Sequence, residues 1–205
     1  MQTLGKNMLR SAVLLGIFAI LATALVAFLY DNTHQRIAEN KRLFTLKKLH
    51  ELIPPDIHDN VLDTDKITVR DALLSRKNPV PVYRARKDGQ TVAVIIQAVA
   101  PDGYSGRITL LVAINRDGSV AGVRVTEHRE TPGLGDAIET KKSDWIHLFT
   151  DKTLTEADHH WRVQRDGGAI DQITSATITS RAVVSAVNNA LRYFEQNSAF
   201  LLDES

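Results

Sequence analysis

Twenty consecutive residues, Ser11 to Tyr30, carry no formal charge and are rich in Leu, Ala, Ile, Val and Phe. As a helix such a run spans roughly 30 Å, the thickness of a bilayer's hydrocarbon core. Beyond it, Arg36 to Ile53 reads as an amphipathic helix: Ile37, Leu43, Phe44, Leu46, Leu49, Leu52 and Ile53 recur among Lys and Glu. Pro54-Pro55 stops that helix, because proline offers no N–H to continue it. The pattern then turns to strands. Val80–Arg86 and Thr91–Ala100 flank Lys87-Asp88-Gly89-Gln90, and Arg107–Ile114 and Ser119–His128 flank Asn115-Arg116-Asp117-Gly118. Both connections place Asp-Gly where a tight hairpin needs a positive φ. Ile95, Leu110, Val112, Val123 and Val125 are expected in one core, and the nearly all-apolar Ile108–Ile114 is a candidate for burial on both faces. Trp145–Phe149 reads as a short helical piece and Trp161–Arg165 as a short strand, with both tryptophans in the core. From Thr179 to Phe194 a helical stripe returns in Val183, Val187, Ala190, Leu191 and Phe194. These elements give an α+β fold class: an N-terminal transmembrane helix, then an antiparallel-sheet domain with packed helices.

Three readings compete for the apolar span. A cleaved signal peptide would use Lys6 and Arg10 as its charged start and Ala22-Thr23-Ala24 as its cleavage site. Val26 to Tyr30, however, continue the run past that site, and the run exceeds the usual ~7–15 residue apolar core of a signal. A buried globular helix is ordinarily shorter and interrupted by polar residues. An uncleaved anchor over residues 11–30 fits best, with Tyr30 at its edge and Asp31 ending it. Charge leaves the orientation open. Lys6 and Arg10 precede the span, while Arg36, Lys41, Arg42, Lys47 and Lys48 follow it, yet the leading tail is very short and large domains translocate with little regard to charge.

Composition narrows the function classes. The 205 residues carry 25 Lys+Arg against 24 Asp+Glu, a balance that provides no field for nucleic acid. Cysteine is absent, which removes disulfides, iron–sulfur ligation and thiol catalysis. Redox chemistry here must therefore come from a bound organic cofactor.

Two segments are candidates for chemistry. In Asp171-Gln-Ile-Thr-Ser-Ala-Thr-Ile-Thr-Ser180, the hydroxyl residues Thr174, Ser175, Thr177 and Thr179 crowd around the small Ala176, just where the last helix begins. A helix N-terminus presents free N–H groups and partial positive charge to a phosphate. Plain capping by Ser or Thr is the competing reading. The second segment, Glu127 to Asp136, cannot continue its strand, because Pro132, Gly133 and Gly135 interrupt the ladder. Its glycines permit close approach to a flat ligand, with Glu130 and Thr131 as hydrogen-bonding groups, or they simply order a turn.

Asp171-x-x-Thr174-Ser175-Ala176-Thr177 resembles the flavinylation pattern Asp-x-x-(Ser/Thr)-Gly-Ala-Thr of the FMN-binding domain family, with Ser175 where that family usually has glycine. Ala100-Pro-Asp-Gly-Tyr-Ser-Gly106 and Glu130-Thr-Pro-Gly-Leu-Gly-Asp136 fit as well. Their order, the single anchor and the length resemble the G-subunit family of the Rnf (Rsx) ion-translocating electron-transport complex. The C subunit of the sodium-pumping NADH:quinone reductase is a sister. The resemblance implies an electron-relay subunit with FMN esterified through its phosphate to Thr177. Thr174, Ser175 and Ala176 would surround that ester, and Asp171 would belong to the flavinylation motif. Glu130, Thr131, Gly133 and Leu134 would contact the ring or ribityl chain. It further implies a magnesium-dependent flavin transferase with FAD as donor, other membrane subunits as partners, and an inner-membrane location with the soluble domain in the periplasm. Residues 1–10 are then a short cytoplasmic tail, 11–30 the transmembrane helix, 31–55 an amphipathic stalk helix and 56–205 the FMN-binding domain.

No catalytic residue and no metal ligand is expected. His159-His160 beside Asp158 lack a third ligand at a recognisable spacing, and no nucleophile elbow supports a hydrolytic triad. Two other classes of function compete: a membrane-anchored structural or sensory module whose Thr/Ser cluster only caps a helix, and a noncovalent flavin reductase.

Overall fold

Successive side chains of a strand face opposite sides of its sheet, so an unbroken apolar run needs cover on both. Strand β4 (Gly106–Asn115) has that cover, with every residue from Ile108 to Ile114 buried. It belongs to a five-stranded antiparallel sheet whose order follows the chain: β1 (Lys66–Val69), β2 (Val80–Lys87), β3 (Gln90–Gly103), β4 and β5 (Val120–Glu127). The computed structural model describes residues 2–154 and 161–202, with side chains from residue 5 onward; the His159-His160 pair lies outside the described residues.

Register divides the apolar residues between two cores. Ile96 pairs with Val112 and Ala98 with Leu110; these residues share a cluster with Val82, Val94, Val123 and Val125. Helix α2 (Thr177–Leu201) lays its stripe of Val183, Val187, Ala190, Leu191 and Phe194 on this face, packing along β3 and β4. Ile95, expected in the same core, pairs instead with Ala113 and lies on the opposite face. The physical reason is parity: Ile95 is one residue from Val94 and Ile96, so the pleat turns it away from them. That second face is covered by Leu49, Leu52 and Ile53 from the end of helix α1 (Gln2–Leu52), together with Leu62.

The first hairpin closes through a two-residue loop. Lys87 pairs with Gln90, and Asp88 and Gly89 have φ of 53° and 79°. Two positive φ values match the twist of the flanking strands, which is why Asp-Gly is favoured there. In the second hairpin Asp117 accepts hydrogen bonds from Ser119 N at 2.9 Å and Ser119 Oγ at 2.6 Å, and these bonds hold its carboxyl below the usual range.

Trp145–Phe149 forms a 3-10 helix, with Trp145 and Phe149 in edge-to-face contact and Phe149 stacked on Trp161. The strand expected over Trp161–Arg165 does not form. Only Val163 makes a bridge, to Ile170, and Gln164–Asp166 closes into a 3-10 turn. The chain doubles back at Gly168, where a Cβ would collide with Arg162 O, leaving no length for a ladder.

The chain folds as two compact units, Met1–Phe44 and Thr45–Ser205. In the first unit the apolar side chains between Met8 and Tyr30 are exposed around α1, which is long and apolar enough to cross a membrane and is not the core helix of a globular fold. The last turns of α1, from Thr45, belong to the second unit. Among the apolar stripe of residues 37–53, Leu49, Leu52 and Ile53 are buried while Ile37, Leu43 and Phe44 are exposed.

Candidate functional site

The approach to α2 is held tightly without using its exposed hydroxyls. Trp145 Nε1 donates to Asp171 O at 2.6 Å, Ile173 N donates to Ser180 Oγ at 3.0 Å, and Ser180 Oγ donates to Ala176 O at 3.0 Å. Ala176 N returns to Ile173 O at 3.0 Å, closing a turn in which Ser175 has a φ of 65°. A left-handed residue of this kind costs about 1–2 kcal/mol unless it is glycine. The chain therefore holds Ser175 in the geometry that suits the glycine of the flavinylation pattern.

The N-cap position falls on Ala176, with φ −130° and ψ 43°, and no side chain caps the helix. The first intrahelical bond runs from Ser180 N to Ala176 O at 3.0 Å. The amides of Thr177, Ile178 and Thr179 stand ahead of it without an intrahelical acceptor. The capping reading of the Thr/Ser cluster thus finds no cap. Thr174 and Ser175 are exposed, Thr177 is half-buried, and among the described residues no hydrogen bond engages their hydroxyls. Thr179 and Ser180 are buried and committed to internal bonds. What results is an uncapped, partly positive helix end whose first residue carries an available hydroxyl.

The Glu130–Asp136 segment packs beside this end. Thr131 O accepts the N–H groups of Leu134, Gly135 and Asp136 at 3.1–3.4 Å, which coils the backbone into the 3-10 helix Gly135–Ile138. Gly133 N donates to Asp136 Oδ1 at 2.8 Å, and Asp136 pairs with Lys142 at 3.4 Å. Thr131, Gly133 and Leu134 are exposed. Glu130 is different: it is only 4% exposed, and both its oxygens are occupied. Oε1 accepts from Ser105 N at 3.0 Å and Oε2 accepts from Thr179 Oγ1. Its own N–H donates to His128 Nδ1 at 3.1 Å, and His128 Nε2 meets Glu139 Oε1 at 2.8 Å, which assigns the neutral Nε2–H tautomer. Gly135 has to be glycine here, because a Cβ would lie 2.8 Å from Glu130 Oε2 and 3.1 Å from Thr179 Oγ1.

Glu130 therefore joins three segments far apart in sequence: the β3–β4 turn, its own loop and the first turn of α2. Tyr104, Leu134 and Ile178, next in sequence to Ser105, Gly135 and Thr179, are 68%, 45% and 48% exposed. Ser105, Tyr104 and His128 are parts of this arrangement that sequence spacing did not single out as site residues, and Thr179, noted there only as one of a hydroxyl cluster, turns out to be the partner of Glu130. Burial of Glu130 gave no signal in the sequence, since a glutamate is ordinarily exposed unless it is paired.

Residues 103–192 match the FMN-binding domain family, from the turn at Gly103 into α2, and residues 1–52 match the RnfG N-terminal region. The G subunit of the ion-translocating oxidoreductase complex of Pseudomonas aeruginosa is 51% identical over 96% of this chain and 93% of its own length. The chain belongs to this G-subunit family. Its counterpart from Shewanella piezotolerans is 46% identical over 96% of this chain and 94% of its own length, and that from Photorhabdus laumondii is 46% identical over 93% and 91%. Membership in this family puts the free helix end, the Glu130 loop and the β3–β4 turn inside an FMN-binding domain.

Proposed function

We propose that this chain carries FMN covalently, through a phosphoester to Thr177 Oγ1, and relays electrons as one subunit of a membrane-bound ion-translocating oxidoreductase. The observation that carries the reading is the start of α2, where a helix inside an FMN-binding domain begins with a free hydroxyl and has no cap. A phosphodiester placed there would receive the unpaired amides and the positive end of the helix dipole. Elimination favours Thr177 within the cluster. Thr179 and Ser180 are buried and engaged, while Thr174 and Ser175 precede the helix. Thr174, Ser175 and Ala176 then border the phosphate, and Thr131, Gly133 and Leu134 lie along the ribityl chain and ring. The exposed apolar Tyr104, Leu134 and Ile178 suit a flat aromatic system.

FMN supplies transfer of one or two electrons and so can connect partners of different electron number. The chain supplies permanence: an ester need not be re-formed between turnovers. Attachment requires a separate flavin transferase with magnesium and FAD. Thr177 Oγ1 forms a bond to the FMN phosphorus, the bond to the AMP oxygen breaks, AMP leaves with the electron pair, and the hydroxyl proton passes to base. Asp171, whose carbonyl is fixed by Trp145 while its side chain is exposed, is available for recognition by that enzyme.

The single span has no charged residue between Ser11 and Tyr30 with which to conduct ions, so pumping would belong to other membrane subunits. Family resemblance supports the inner membrane, with the domain on the periplasmic side. Since the chain lacks cysteine, Lys77→Cys on the exposed 76–79 segment creates a single thiol. A membrane-impermeant maleimide added to intact cells should label it, and labelling only after lysis would reverse the assignment.

Attachment itself is tested by expressing the full chain with and without the transferase, denaturing it and viewing the gel under ultraviolet light. A fluorescent band that survives denaturation and vanishes in Thr177→Ala is expected. A dark wild-type band beside an active transferase would overturn the reading, and flavin freed by denaturation would favour noncovalent binding.

A further inference from the structure

We propose that Glu130 is a positioning residue that stands in for the missing cap of α2, holding the helix end by the side chain of its third residue so that the amides stay free. This rests on the reading of Thr177 as the flavin acceptor. An exposed helix end frays unless something holds it, and the usual holder is a cap that consumes the N–H groups. A phosphate site cannot use that device, since the same N–H groups are what it offers the ligand.

Here the holding is done from the side. Thr179, two residues past Thr177, donates a hydrogen bond from its hydroxyl to Glu130 Oε2, and the other oxygen of Glu130 accepts one from Ser105 N in the β3–β4 turn. Both Glu130 and Thr179 are nearly inaccessible, at 4% and 1% exposure, so the tie lies beneath the surface that a ligand would meet. Gly135 admits the pair by lacking a side chain, and the N–H of Glu130 is fixed to His128, whose other nitrogen meets Glu139. The carboxylate thus acts on Thr177 through Thr179, without touching flavin. This separates it from Thr131, Gly133 and Leu134, which lie exposed on the same loop.

Four variants of the full chain, each co-expressed with the transferase, test this: Glu130→Ala, Glu130→Gln, Thr179→Val and Thr179→Ser. The readouts are covalent flavin per folded molecule and the thermal unfolding of the chain made without transferase. Glu130→Ala and Thr179→Val each break the tie, and their flavin content should fall about tenfold, the scale of one lost charge-assisted hydrogen bond. Glu130→Gln can still accept from Ser105 N and reach Thr179, and Thr179→Ser keeps the hydroxyl; both should stay within about threefold of wild type. If Glu130 instead touches flavin directly, Gln will fail as Ala does while Thr179→Val stays fully loaded, and the inference is overturned. Equal flavin per folded molecule in all four variants, with only unfolding temperatures changed, would also overturn it by reducing the tie to general stability. Should Glu130→Ala fail to fold, the contrast of Thr179→Val with Thr179→Ser decides. Absence of covalent flavin in wild type and every variant would sink the Thr177 reading itself, and so is distinguishable from failure of this one.

Discussion

Helix α1 ends and helix α2 begins within the same folded unit, but they do so by different rules. At the end of α1 the local chemistry is conventional: Ile53 N still donates to Leu49 O at 2.9 Å, Pro54-Pro55 forbids a further turn, and the buried Leu49, Leu52 and Ile53 anchor the segment. Glu51 adds an ion pair at 3.3 Å with Arg124 on β5; burial pushes its carboxyl up, but Lys48 and Arg124 outweigh that and hold it lowered. At the start of α2 the usual device is missing. Alanine sits at the cap, serine occupies a left-handed position, and the anchoring bond comes from a buried glutamate on another segment. Where local rules are obeyed the sequence secures a fold, and several broken together are what a functional site is expected to look like.

The two helix ends make opposite demands on substitutions. Leu49→Ala removes a fully buried side chain from the core beneath the sheet and is expected to lower unfolding free energy by about 2–5 kcal/mol. Covalent flavin per folded molecule should nevertheless remain that of wild type, since Leu49 packs on the face of the sheet opposite α2. Urea titration of the apo chain, with flavin fluorescence of the soluble fraction, checks both halves. A loss of flavin that exceeds the loss of folded protein would erase the contrast between the two regions.

Gly135→Ala sharpens the other side. The added Cβ would press on Glu130 and Thr179 at 2.8–3.1 Å, and overpacking of this kind costs about 1–3 kcal/mol. Less stability is lost than in Leu49→Ala, yet flavin content should fall by much more. The same two measurements in the same strains suffice, and a fully loaded Gly135→Ala protein would show that the packing around Glu130 does not reach Thr177.

The two regions were also unequally legible in the sequence. Periodicity and turn chemistry sufficed for the end of α1, four strands, both hairpins and the stripe of α2, because each depends on neighbours a few residues apart. Strand β1 went unseen: four residues, Lys66–Val69, at an edge with alternating exposure leave little hydrophobic signal. Ile95 was assigned to the wrong face because neither Asp-Gly hairpin fixes how β3 pairs with β4; that register places Ile96 and Ala98 opposite Val112 and Leu110, and parity then turns Ile95 away. Trp161–Arg165 has strand-forming residues, but Gly168 turns the chain back too soon. At the site, Thr177 and the Gly-rich loop were visible as motifs. The bond joining Glu130 to Thr179 spans 49 residues, and no local rule reports a contact of that separation.

The smallest expected effect concerns the outer side of the α2 start. Arg181, one turn into the helix, grips Asp166 with two bonds of 2.5 and 2.6 Å, and these hold the Asp166 carboxyl below the ordinary carboxylate range. A carboxylate lowered by folding adds stability that is fully present above its unfolded value, about 3.9, and is lost as pH falls through the lowered folded value. Asp166→Asn should therefore unfold at a slightly lower temperature than wild type from neutral pH down to that range, and the difference should close under stronger acid. The pair is solvent-exposed, so salt should shrink the difference as well. Flavin attachment should not change, because this bond fixes the outside of the helix while Glu130 fixes the inside. A gap in melting temperature that is constant with pH would mean that Asp166 acts through the shape of the Gln164–Asp166 turn and not through its charge.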